Sequence, residues 1–134
     1  MNTFKLSIVT PDGELFSGEA ISLNVKTDEG NVQIMRGHTD YLATLGTGKA
    51  KITDKDGVTR TASSSGGFIS VSGGIVSMVA TTFEFADDID VERARKAKKK
   101  AEEALANATS ENQIRIAKAK LSRALSRLSA ANER

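Results

Sequence analysis

The chain has a single histidine, His38, in the stretch IMRGHTDYL (34–42), with Asp40 and Tyr41 close behind it. In a strand, residues two apart share a face, so Asp40 could orient the imidazole as a general base. Such a base needs a nucleophile to activate, and no activated Ser or Cys stands nearby. A metal site would have to recruit Asp and Glu from elsewhere, with no His-x-x-x-His to begin it. His38 therefore reads as a structural or interface residue. Two glycine pairs, in SSSGGF (63–68) and VSGGIV (71–76), invite a phosphate-loop reading. Neither has the Gly and Lys spacing of a P-loop, and neither leads into a helix. Hairpin turns explain them better.

The third group able to do chemistry is cationic. RARKAKKK (93–100) concentrates Arg93, Arg95, Lys96, Lys98, Lys99 and Lys100, and Arg115, Lys118, Lys120, Arg123 and Arg127 follow. Such a surface can meet phosphates or an acidic protein face, or stay solvated. Nucleic acid is disfavoured, because no aromatic lies among these residues to stack on bases.

Two kinds of element must carry these groups. All 11 glycines and the only proline fall at or before Gly74. Residues 1–86 hold seven Lys and Arg against nine Asp and Glu, whereas residues 87–134 hold twelve against eight. The division predicts a turn-rich part, 1–86, and a helical part, 87–134. In the first, Phe4, Leu6 and Ile8, then Ile21, Leu23 and Val25, then Val32 and Ile34 alternate with polar residues, as half-buried strands do. PDG (11–13), DEG (28–30), GTG (46–48), KDG (55–57), SGG (65–67) and SGG (72–74) punctuate them as turns. Short strands with such turns predict an antiparallel β-sandwich or barrel, and the sandwich is the fold expected.

In the second part, Asp87, Asp88 and Asp90 suit the start of a helix. Ser110 and Gln113 form a capping box for the next, leaving NATS (107–110) as the turn. Apolar seams run through Ala94, Ala97, Ala101, Ala104 and Ala108, and through Ile114, Ala117, Leu121, Ala124, Leu128 and Ala131. They predict an antiparallel two-helix hairpin, closely packed but weakly held, because alanine buries little surface. Such a unit must lean on the sandwich or a partner and should open at small cost. The 134 residues suffice for a core without staples, and the absence of cysteine ties nothing to an oxidising compartment. No apolar run approaches the roughly 20 residues of a membrane span.

In order and spacing, IVTPDGELFSGEA, NVQIMRGHTDYLATLGTGKAKI, SGGFISVSGGIVSMVA, DDIDVERARKA and LSRALSRL resemble the epsilon subunit of F-type ATP synthases. The chain departs from the family where proline usually precedes the Gly-His pair. The resemblance implies a non-catalytic central-stalk subunit, peripheral to the cytoplasmic face of a bacterial cell membrane. Its sandwich would sit beside the γ subunit and on the c-ring, with Gly37, His38, Tyr41 and Leu42 at the γ interface. Its helices would fold down or extend into the α/β catalytic head, where the basic face Arg93, Arg95, Lys96, Lys98, Lys99 and Lys100 restrains ATP hydrolysis. No cofactor is required, but the resemblance implies a regulatory ATP at Glu84, Ile89, Asp90, Arg93, Ala94, Lys100, Arg123 and Arg127, with Lys100 where arginine is common. A β-domain adaptor gripping RNA or DNA, and an enzyme built around His38, are the competing readings.

Overall fold

The computed structural model describes residues 2–134. Seven strands come first: β1 (Phe4–Thr10), β2 (Gly13–Thr27), β3 (Gly30–Met35), β4 (Tyr41–Thr44), β5 (Gly48–Asp54), β6 (Thr59–Ser72) and β7 (Ile75–Phe85). A 3-10 turn over Ala86–Asp88 leads to helices α1 (Val91–Ala106) and α2 (Glu111–Ala131).

The expected alternation holds in β1, where Phe4, Leu6 and Ile8 are buried. In β2 it slips. Ala20 and Leu23 are fully buried while Ile21 is only half-buried, because the β2–β5 register shifts between Ala20 and Ser22. Such an irregularity moves the following side chains across the sheet. Thr27 and Thr10 close their hairpins alike: each hydroxyl accepts from the amide two residues on and donates to the carbonyl of a glycine, Gly30 or Gly13.

Two long strands shape the sandwich. The first half of β2 pairs with β1 and the second with β3 and β5. The first half of β6 pairs with β5 and the second with β4, while β7 runs along most of its length. All these ladders are antiparallel, but β1 pairs with β7 in parallel, an exception to the expected pattern. Because β1 touches both β7 and β2, the order β1-β7-β6-β5-β2 returns to β1 and closes.

One expected turn is not a turn. Ser65-Gly66-Gly67 lies inside β6, with φ of 71° at Gly66 and 90° at Gly67. Glycine alone adopts that backbone cheaply, and a Cβ on Gly67 would overlap the carbonyl oxygen of Val79 in β7. The pair bends β6 where it passes from β5 to β4, without reversing it. The sandwich core lies wholly between Phe4 and Phe85.

In the hairpin, Asp90 is the N-cap of α1, its Oδ1 accepting from the Arg93 amide at 3.0 Å. Asp87 and Asp88 belong to the preceding 3-10 turn instead. Ser110 caps α2 by accepting from the Gln113 amide at 3.1 Å. Gln113 reaches back one residue further than the capping box anticipates, to the amide of Thr109 at 2.8 Å. The α2 seam includes buried Ala117, Ala124 and Ala131. In α1 only Ala94 and Ala101 of the expected stripe are buried; Ala97 and Ala104 are exposed, and Leu105 is half-buried on the seam side. Spacing of three or four fits several neighbouring stripes, and contact with α2 selects one.

Candidate functional site

The hairpin is folded onto the sandwich through α2, which packs on β5 and β6 with α1 on its other side. Small side chains make this joint. The hydroxyls of Ser63 and Ser126 meet at 2.8 Å in a buried contact, and Ala130 and Ala131 cover Ile89. Beyond it the surfaces separate into a cleft of about 680 Å³.

The walls differ in chemistry. From the sandwich come Thr10, Ser63, Ser65, Thr81 and Thr82, with Asp12, Phe83 and Glu84. From the hairpin come Arg93 and Lys100 of α1 and Lys120, Arg123 and Arg127 of α2. Their spacings, seven apart on α1 and three then four on α2, put each set on one helix face. Ala97, between the α1 cations, and Ala104, one turn past Lys100, keep that wall low. Arg127 Nε donates to Glu84 Oε1 at 2.8 Å, the one ion pair across the cleft among the described residues. A cleft of this volume with converging cations could take a polyanion of small-molecule size.

Of the residues expected around ATP, Glu84, Arg93, Lys100, Arg123 and Arg127 line this cleft together. Ile89, Asp90 and Ala94 do not line it: Ile89 and Ala94 are buried in packing, and Asp90 caps α1. Lys120 is the addition. Its spacing to Arg123 and Arg127 was the available signal, though Lys118 and Arg115 carried the same charge without the position.

The expected basic face is divided. Arg93 and Lys100 turn to the cleft, Arg95 pairs with Glu92 at 3.1 Å, and Lys98 is half-buried while Lys96 and Lys99 are exposed. Consecutive residues point about 100° apart around a helix, so a run of cations encircles it.

At the far end of the sandwich, Gly37 has φ of 86° and the His38 amide donates to the Met35 carbonyl, closing a tight turn. His38 Nδ1 lies 2.7 Å from the Thr39 carbonyl oxygen, a contact that calls for the proton on Nδ1. Its ring meets Tyr41 edge-on at 5.6 Å. Asp40 does not orient the histidine; it accepts from the Gly73 amide at 3.2 Å, fastening the β6–β7 turn. Leu42 is 73% exposed. It heads a sheet face that also shows Phe68 and Ile75, with Ser70, Ser72 and Ser77 between them by register. Large apolar side chains grouped on one exposed face mark a docking surface.

Two family descriptions match in succession: the beta-sandwich domain of the ATP synthase Delta/Epsilon chain over residues 3–86, and its long alpha-helix domain over 87–132. The chain belongs to the epsilon-chain family of ATP synthases. It is 38% identical to the ATP synthase epsilon chain of Ruminococcus albus with both chains wholly covered. It is 39% identical to that of Bacillus velezensis, over 98% of each chain, and 40% identical to that of Staphylococcus aureus, over 96% of each. A chain in the Euglena gracilis mitochondrial ATP synthase (OSCP/F1/c-ring) shares the fold, with a TM-score of 0.85 at 22% identity over 98% of this chain and 82% of that one. A chain in the Tetrahymena thermophila central stalk and c-ring gives 0.67 at 17%, over 95% of each. Among the described residues, no helix of this family member is long and apolar enough to cross a membrane, and no group of three or more His, Asp or Glu is arranged to hold a metal.

Proposed function

We propose that this epsilon-family chain is a non-catalytic subunit of the central stalk, whose sandwich anchors it and whose hairpin regulates the enzyme. The sandwich docks γ through the turn at Gly37 and His38, Tyr41 and the exposed Leu42, extended by Phe68 and Ile75, and its end rests on the c-ring. The hairpin swings from its folded position towards the α/β head and restrains ATP hydrolysis through its lysines and arginines. The subunit is thereby peripheral to the cytoplasmic face of the membrane. The observation that carries this reading is the asymmetry of the two parts: the sandwich has a closed strand ring and its own core, whereas the hairpin rests on it by alanine and serine contacts and a few partly exposed ion pairs. An appendage held so thinly can leave without disturbing its support.

The test is steady-state ATP hydrolysis by a γ-containing catalytic complex lacking this subunit. Full-length protein should bind and slow hydrolysis, residues 1–86 should bind without slowing it, and Leu42→Asp should weaken binding of either. Equal inhibition by the full and shortened chains would end the assignment of the brake to the hairpin.

The cationic cleft favours a second role, regulatory binding of ATP. Arg93, Lys100, Lys120, Arg123 and Arg127 would hold the phosphates, and a ligand binding only the folded hairpin would stabilise it by about 2.7 kcal/mol at one hundred times its Kd. Titration calorimetry should give saturable heat with ATP, weakened about tenfold or more by Arg93→Ala. A flat titration at millimolar ATP would remove the role.

A further inference from the structure

We propose that Glu133 and Arg134, just past α2, are a clamp that holds the folded hairpin against the sandwich at its hinge. Glu133 straddles two lysines of β5, with Oε1 3.3 Å from Lys51 Nζ and Oε2 3.5 Å from Lys49 Nζ. Lys49 and Lys51 are two apart on one strand and so present their ammonium groups on the same face. Arg134 takes a different partner. Its Nη1 donates to the carbonyls of Ile89 at 3.2 Å and Ala86 at 3.4 Å, in the segment where the chain leaves β7 for α1.

These contacts fasten one end of α2 to both sides of the joint. Glu133 ties it to β5, and Arg134 ties it to the 3-10 turn about which the hairpin must pivot. Between them, Ala130 and Ala131 cover Ile89 and half-buried Val91. The alanines supply little attraction of their own, so the charges at the end of the helix, with the Arg127–Glu84 pair across the cleft, set how long it stays docked. The pairs are partly exposed, with 33% of the Glu133 side chain and 38% and 44% of the lysines open to solvent. Exposed pairs of this kind are individually weak and screened by salt. The clamp therefore suits a part that must release. Its regulatory consequence rests on the hairpin being the brake, but the contact itself is measurable in the isolated protein.

The chain contains no cysteine, so a single Ser126→Cys substitution supplies a buried thiol between α2 and β6. Its rate of reaction with an aromatic disulfide reports undocking. Adding Glu133→Gln and Arg134→Gln should raise that rate by about two- to fivefold at low salt. Added salt should speed the parent more than the double variant. Lys49→Glu with Lys51→Glu should also speed it, and Glu133→Lys on top of these should slow it again. An Ala117→Cys thiol, buried in the seam between the helices and away from the cleft, should not respond. An unchanged rate, a charge swap that fails to restore it, or an equal rise at position 117 would each overturn the clamp, the last by showing that the helices themselves unravel. Amide exchange across Ala130–Asn132 in the cysteine-free chain gives the same comparison without a substitution in the joint.

Discussion

At Gly67 a backbone requirement and a packing requirement coincide. Its φ of 90° disfavours any side chain, and the Val79 carbonyl occupies the place a Cβ would take. Gly57 has φ of 82° but nothing within 4 Å of a Cβ. Gly57→Ala should therefore cost about 1 kcal/mol, the left-handed backbone term alone. Gly67→Ala should cost roughly 2–4 kcal/mol, because β7 must also move. Denaturant unfolding checks the pair, and equal losses would mean that β7 yields freely. The cleft residues were unequally legible for a related reason. Arg93, Arg123 and Arg127 stand in motifs and point where the cleft lies, while Ile89 and Ala94, in the same motif as Arg93, turn into packing. Spacing gives a side chain's direction from its own helix; what waits in that direction belongs to the rest of the fold.

Among the elements, the helices were the most legible because their boundaries are local chemistry: Asp90 and Ser110 each accept the third amide on, as their side chains allow. The α1 stripe was less so. Ala97 and Ala104 fit the spacing as well as Ala94 and Ala101, yet they are exposed along the cleft while Ala94 and Ala101 are buried. An alanine at a cleft wall and an alanine in a seam satisfy the same requirement, that something approach closely. The long strands were hardest. Nothing in the composition of β2 or β6 announces that one strand pairs with different neighbours along its two halves, and Ser65-Gly66-Gly67 has the residues of a reversal but makes only a bend. That bend exists because β4 and β5, both upstream of it, share β6 as partner.

For the molecule as a whole, the two family matches meet at residue 86, the sandwich has its own core, and the hairpin meets it partly through ion pairs. Acid should therefore act on the joint. Burial is the largest single influence and raises the Glu133 pKa, but the hydrogen bonds and charges of Lys51 and Lys49 together outweigh it and hold the carboxyl below its ordinary value. With the folded pKa below the unfolded one, the contribution is complete above the unfolded value and fades as pH falls through the folded value. The stability lost on Glu133→Gln should thus be present at neutral pH and vanish once the pH falls below the lowered folded value. Denaturant midpoints of the parent and the variant across that range decide it. A difference independent of pH would mean that Glu133 acts through packing.

The parallel ladder between β1 and β7 also orders events in time. Lys5 is paired with Ile75, so the first strand can be secured on that side only when the seventh has been made. Contacts so distant along the chain form late, and a nascent chain emerges from its beginning. The strand ring therefore completes just as the helices start to appear. The hairpin, synthesised after the sandwich, arrives at a docking surface that has only then come into existence.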